Sequence, residues 1–349
     1  MPTAATILIS EFMTSGLWPN PLLTQSLARE GAGMLLALVE DVLHLTDQEV
    51  VTTWDTRLGD FPISHPNLKT IPVDSVLATE ESLQHLLRAS NRSLFIAPEF
   101  HGLLQSRVDH VNFVKTQVSP LHISLNCDSE AISICADKLR LAKLLQEHDV
   151  STIATSTFNM REPSSLRHDW LPIVIKPRDG AGSQATFRID DFDDLDDIRA
   201  KNSAELSEFE LIQQPFIAGR PLSMAAIISP SPRSIQPLPL CEQLLSHDGR
   251  FHFLGTRAGA FRGTVLERSA ELLVRRCCDL IPGLNGYVGF DLIEPTDQPN
   301  EVVLVEINPR LTTSYLAYRQ LADFNLAAML LDAPTKVRWR NTQTEVRIE

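Results

Sequence analysis

Near the C-terminal end, two strongly β-forming runs carry acids in positions that apolar strands normally exclude. They are GYVGFDLIE (residues 286–294) and EVVLVEINP (residues 301–309), and the EPTDQPNE that joins them reads as a hairpin loop. Symmetric pairing about a loop centre near Asp297 places Asp291 opposite Leu304 and Glu306 opposite Gly289. Residues two apart on a strand share a face. Asp291, Glu306 and Asn308 therefore project to one side, while Val288, Phe290, Leu292, Val303, Val305 and Ile307 bury the other. Diagonal cross-strand neighbours lie roughly 7–8 Å apart. Two carboxylates and an amide oxygen at that spacing suit a hard divalent cation that also binds nucleotide phosphates. Without a cation the two acids repel and one must take a proton. Gly289 leaves room for an ion or a phosphate. Arg310 follows directly, and its guanidinium matches a phosphoryl oxygen or a substrate carboxylate in fork geometry. A salt bridge to Glu306 is the alternative use of that charge.

A second element supplies the complementary charge. LPIVIKPRDGAGSQATFRI (residues 171–189) reads as strand, Gly-rich turn, strand. Lys176 ends its apolar first strand, and the loop from Asp179 to Gln184 has little side-chain bulk. Its backbone N–H groups could close over phosphates. The segment lacks GxxxxGK[ST], so it is not a P-loop. Alone it is equally an ordinary hairpin turn; with Lys176 and the acidic hairpin it points to a phosphate-bearing ligand.

The first third alternates strand-like and helix-like segments: AATILISEF (residues 4–12), a helical pattern from about Leu22 to Leu45, VVTTWD (residues 50–55), and SLFIAPEF (residues 93–100) after the helical SLQHLLRAS. This alternation predicts a parallel sheet covered on both faces. Ligands of such sheets sit beyond the carboxyl ends of the strands, near which Glu11, Asp55 and Glu99 fall. Capping of loops and helices is the competing reading for all three. No GxGxxG is present, so no dinucleotide site is assigned. Helical spacing returns over residues 129–147, which contain the pair Asp137-Lys138. DDFDDLDDIRA reads as a solvated, acid-capped helix start. ELIQQPFIAG (residues 210–219) reads as a strand ending in a turn, SPSPRSIQPLP (residues 229–239) as a surface connection, and the tail after Pro334 as polar chain without a site signal.

Composition excludes several classes. The chain has 44 acids against 31 bases, a formal charge of −13, which argues against a whole-chain grip on nucleic acid or an anionic membrane. No stretch approaches the roughly 18 apolar residues of a membrane helix, and the N-terminal segment lacks a basic leader. Cys127, Cys135, Cys241, Cys277 and Cys278 have no metal-ligand spacing and are expected to be buried and reduced. Cytoplasm is the expected compartment.

Taken in order, an α/β start, the Asp137-Lys138 pair, IVIKPRDGAGS, QQPFIAG, GYVGFDLIE and VEINPR resemble the ATP-grasp superfamily, over most of the chain from Ser10 to Leu331. EFMTSG, LAREGAGML, IAPEF and NPRLTTSY give a finer resemblance to tyramine–L-glutamate ligases and similar amino-acid ligases. The resemblance implies an α/β ATP-grasp fold with an N-terminal Rossmann-like (pre-ATP-grasp) domain. It divides the chain into residues 1–120 (pre-ATP-grasp), 121–215 (small lid subdomain with the flap) and 216–349 (C-terminal subdomain with the metal hairpin). Lys138 and Lys176 would contact nucleotide phosphates under a flap of Gly180, Gly182 and Ser183. Gln213, Gln214 and Phe216 would sit at the adenine hinge. Asp291, Glu306 and Asn308 would hold Mg²⁺, with Mn²⁺ admissible, and Arg310 would stabilise the transferring phosphoryl group or an acyl phosphate. Many members place an acid after the hinge for ribose and a further Gly in the flap. QQPFIAGRP and Gln184-Ala185 depart from both patterns.

The implied reaction joins a small-molecule carboxylate, with glutamate as the finer reading, to an amine at the expense of ATP. Glu99, Arg257, Arg262, Thr312 and Thr313 are candidate substrate contacts. A phosphotransferase, or a nucleotide-binding protein without chemistry, are the alternatives. The superfamily also admits a homodimer.

Overall fold

A computed structural model describes residues 6–18, 25–162 and 165–348. Its N-terminal part is a parallel sheet of β1 (Thr6–Glu11), β2 (Glu49–Asp55), β3 (Leu68–Val73), β4 (Arg92–Ile96) and β5 (Ile123–Ser124), in the order β3-β2-β1-β4-β5. Helices α1 (Gln25–Leu43), α2 (Val76–Ala89) and α3 (Leu103–Gln117) connect the strands. Ile7, Leu8 and Ile9 are all buried, as a central strand covered on both faces requires. The predicted helix start at Leu22 and the first two residues of AATILISEF lie outside the described residues. The sequence reading missed β3, which contains Pro72; as an edge strand it tolerates the missing N–H.

The predicted helix over residues 129–147 is instead two, α4 (Ser129–Ala136) and α5 (Lys138–Glu147). Asp137 breaks it by adopting an extended conformation and capping α5 through the N–H groups of Leu139 and Arg140. Such a cap satisfies otherwise orphaned donors, and it fixes Lys138 at the first turn.

Next comes a small antiparallel sheet of β6 (Ser156–Phe158), β7 (Ile173–Pro177), β8 (Phe187–Ile189) and β9 (Leu211–Pro215), in the order β6-β9-β7-β8. α6 (Phe192–Leu206), capped by Asp191, is the acid-rich helix start read from the sequence. This unit has its own apolar cluster around Ile173, Ile175, Phe187 and Leu211.

The larger sheet contains β10 (Gly219–Pro230), β11 (Arg233–Pro237), β12 (Cys241–Leu245), β13 (Phe253–Ala258), β14 (Gly286–Pro295), β15 (Val303–Asn308) and β16 (Thr344–Arg347). Its order is β15-β14-β10-β12-β13-β16, with β11 also on β10. Three helices accompany it: α7 (Val265–Leu280), α8 (Ser314–Leu321) and α9 (Ala327–Leu330). Two expectations are corrected here. SPSPRSIQPLP is the turn and return strand of a hairpin, with Ile228 paired to Ile235. The polar tail is not idle either: its β16 pairs with β13, and Ile348 reaches the main cleft. An isolated strand of alternating Thr, Glu, Val and Arg has too weak an apolar signal to be read without its partner.

The acidic hairpin forms, in a different register. Asp291 pairs with Glu306 and Gly289 with Asn308, and a bulge interrupts the ladder between Asp291 and Leu292. The bulge inserts Val305, so side chains beyond it change faces. Leu304 therefore joins Val288, Phe290, Leu292 and Ile307 in the core, while Val303 and Val305 are only partly buried. The space beside Gly289 is also not left for an ion, because a Cβ there would lie 2.6 Å from Thr312 Cγ2.

Candidate active site

The two sheets flank a cleft of about 610 Å³. One end is lined by aromatic and apolar side chains, including Phe216, Phe251 and Phe253. Phe216 and Phe251 stack with centroids 6.1 Å apart, and the Arg188 guanidinium lies 4.1 Å from the Phe216 ring. Gln214 lines the same end and donates from Nε2 to Thr155 Oγ1 at 2.8 Å. Gln213 does not reach the cleft. Its Oε1 accepts from Arg167 N, and its Nε2 donates to the carbonyls of Thr157 and Ser165. The alternation of β9 explains this, since adjacent residues face opposite sides.

The glycine loop closes the cleft from above. Gly182, Ser183 and Ala185 all have positive φ, 67°, 60° and 46°. Such a path is easy for Gly and strained for the others. Ser183 Oγ donates to the Phe251 carbonyl at 2.7 Å and ties the loop to the β12–β13 connection.

The charged centre gathers side chains from four segments. Lys138 Nζ donates to the Gly180 carbonyl at 2.6 Å and lies 3.4 Å from Glu306 Oε2. Lys176, buried, enters from β7. Asp291 Oδ1 accepts from Gln243 Nε2 at 2.8 Å and its Oδ2 from Asn308 Nδ2 at 3.0 Å. Burial, and then the Glu306 carboxylate opposite, push the Asp291 carboxyl well above the usual carboxylate range. Burial would raise Glu306 as well, but Lys138, Lys176 and a hydrogen bond from Asp291 outweigh it and hold Glu306 below the usual carboxylate range. Opposite shifts of this kind favour one proton held between the two carboxyls. Burial draws the Lys176 ammonium down to about 8, against the pull of Glu306. Two close carboxylates and an amide, all hard oxygen donors, fit a divalent cation in place of that proton.

Arg310 does not bridge to Glu306. Its Nε lies 2.9 Å from Glu99 Oε1, so the carboxyl-end region of the N-terminal sheet is tied to the strand carrying the acids. Thr312 and Thr313 line the far end of the cleft, where Thr313 Oγ1 donates to Glu30 Oε2 at 3.4 Å. Asp55 is occupied capping a turn through Arg57 N at 2.8 Å. Glu11 is buried and accepts from Thr14 N and Oγ1. Arg257 pairs with Glu242 and Glu345, and Arg262 donates to the Trp339 and Arg340 carbonyls; neither lines the cleft.

The sequence reading missed Glu30, Gln243 and Phe251. Glu30 stands over the cleft because α1 is docked on α8, where Tyr315 Oη donates to Asp41 Oδ2 at 2.7 Å. Gln243 is two strands away from Asp291 in the sheet order, and nothing in its local sequence marks that proximity.

Comparison with known proteins agrees with this arrangement. A model of the ATP-grasp domain matches residues 135–314, just over half the chain, and one of the pre ATP-grasp 3 domain matches residues 48–132. The tyramine–L-glutamate ligase of Methanocaldococcus jannaschii is 27% identical over 292 residues, 83% of this chain and 78% of the relative. That of Methanocaldococcus fervens is 25% identical over 309 residues, 88% of each. A solved structure of an ATP-grasp superfamily protein from Archaeoglobus fulgidus superposes with a TM-score of 0.70 at 24% identity, covering 99% of this chain and 92% of that one. With the lysines, the flap and the acidic hairpin meeting in one cleft, and the matching domain model spanning the same residues, the chain belongs to the ATP-grasp family.

Proposed function

We propose that this protein is an ATP- and Mg²⁺-dependent ligase that joins a small-molecule carboxylate to an amine through an acyl phosphate. The observation that carries the reading is the convergence of Asp291, Glu306 and Asn308 with Lys138, Lys176 and Arg310 in one cleft. The names of the archaeal relatives favour glutamate as the acid and tyramine, or a similar amine, as the nucleophile.

In this reading the adenine lies at the end lined by Phe216 and Phe251, with Gln214 beside it. The phosphates run beneath Gly180, Gly182 and Ser183 toward Lys138 and Lys176. Asp291, Glu306 and Asn308 would hold the divalent cation, which when bound neutralises phosphate oxygens. A substrate carboxylate oxygen attacks the terminal phosphorus, and ADP departs. The amine then attacks the acyl carbon, loses a proton, and expels phosphate to leave an amide. The protein's part is positioning and charge neutralisation. Lys138, Lys176 and Arg310 offset charge on the transferring group. The flap excludes water, which would otherwise hydrolyse the acyl phosphate. The division of labour over residues 1–120, 121–215 and 216–349 is part of the same proposal.

The test is ADP release from full-length protein with ATP, Mg²⁺ and a panel of acid–amine pairs that includes glutamate with tyramine. Amine-dependent ADP release with amide product supports the ligase. Amine-independent turnover to a stable phosphorylated product replaces it with a phosphotransferase.

A further inference from the structure

The ion pair of Arg310 and Glu99 has a different cavity on each side. Arg310 lines the main cleft, whereas Glu99 lines a second cavity of about 390 Å³. The partition continues along the chain: Lys138 and Gly180 face the cleft, and Asp137, Arg178 and Asp179 face the second cavity. The volume lies within the range of small-molecule sites.

The charge of this second cavity is negative. Arg178 is already matched by Asp137 at 2.6 Å and Glu210 at 3.0 Å. Asp179 Oδ2 accepts only the His101 N–H, at 3.0 Å, and Glu208 has no ion-pair partner among the described residues. Glu99 is the deepest acid, its side chain 7% exposed. Its Oε1 accepts no hydrogen bond of good geometry, although Arg310 Nε stands close by. Phe209 and Ala136 add apolar wall.

We propose that this second cavity admits and holds the amine co-substrate as a cation, with Glu99 and Glu208 selecting its charge, and passes it to the Arg310 side of the cleft. The proposal rests on the ligase reading. It accords with that chemistry: a way in apart from the flap would let the amine reach the acyl phosphate while the nucleotide side stays shut against water. A separate acidic entrance supplies such a way in and concentrates a cation by its field.

The probes are tyramine, cationic at neutral pH, and hydroxylamine, a small and largely uncharged nucleophile. Both are assayed by ADP release with L-glutamate and MgATP in the full-length wild type, Glu208→Lys and Glu99→Gln proteins. The expected result is a rise of about tenfold in the tyramine-to-hydroxylamine KM ratio in each variant, the effect of one lost charge contact. Because Glu208 is exposed, its variant retains the fold even if Glu99→Gln does not. An unchanged ratio in Glu208→Lys, with wild type active on both nucleophiles, overturns the proposal. Failure of the wild type to release ADP with any acid and nucleophile instead overturns the ligase reading itself.

Discussion

Asp291 and Glu306 face each other directly across β14 and β15, and the bulge at Val305 is what brings them into register. Like charges directly opposite on a sheet destabilise it. Burial and the facing carboxylate favour the protonated form of Asp291, whereas Lys138 and Lys176 beside Glu306 favour its ionised form. An arrangement that must be neutralised from outside is suited to binding a cation, and several consequences can be measured.

Asp291→Ala or Glu306→Ala should abolish the Mg²⁺-dependent part of nucleotide binding. In the wild type, MgATP should raise the Tm, and in either variant that rise should vanish while the circular dichroism spectrum is kept. By comparison with other transition-state charge contacts, the barrier should rise by roughly 2.7–4 kcal/mol. Undiminished MgATP stabilisation in both variants would remove the metal assignment.

Glu11 should make stability fall as pH rises. Burial pushes its carboxyl up to about 7 from the usual 4.5, against hydrogen bonds from Met13 and Thr14. Between those values the folded protein holds a proton that the unfolded chain has released, so the unfolded state gains with pH. Above about 7 the full cost of the buried charge is present. Glu11→Gln keeps an acceptor for Thr14 and removes the charge. Its Tm should exceed that of wild type at pH 8, and the difference should shrink toward pH 5. A difference independent of pH would contradict this.

Gly289→Ala should destabilise by about 1–3 kcal/mol, the usual cost of overpacking, because the new methyl meets Thr312 Cγ2 at 2.6 Å. Thr312→Ser removes that methyl and keeps the hydroxyl that meets Tyr287 Oη at 3.1 Å. The double variant should recover most of the loss, giving a coupling term in denaturant titrations. Strict additivity would place the cause elsewhere.

Lys176 should tie nucleotide affinity to pH. Because burial draws its ammonium down to about 8, the free protein loses this charge as pH rises through that value. ATP affinity, measured calorimetrically, should weaken between pH 7.5 and 9 in the wild type. Lys176→Arg, which keeps its charge, should show a flatter profile. Parallel profiles would separate this lysine from the phosphates.

Much of the architecture was legible because it rests on local signals. Strand–helix alternation gave the parallel sheet, and IVIKPRDGAGSQATFRI gave the β7–β8 hairpin, through apolar period and turn residues that act over a few positions. The signals that failed were of two kinds. A helix continuous in pattern was broken at Asp137 by side-chain capping, an alternative the periodicity does not weigh. SPSPRSIQPLP and the tail formed strands only because partners were waiting for them in the sheet.

The sequence by itself determined which oxygen and nitrogen donors are present and that Asp291, Glu306 and Asn308 share one hairpin. Strand alternation and charge reach that far without knowledge of the fold. Only the tertiary structure decided that Arg310 pairs with Glu99 rather than Glu306, that Gln213 turns from the cleft, and that Glu30 and Gln243 come to it. Each depends on packing between segments far apart in the chain, just as the facing of Asp291 and Glu306 depends on one bulged residue that shifts a register. Such contacts are set by the shape and charge of surfaces that exist only after the sheets have met.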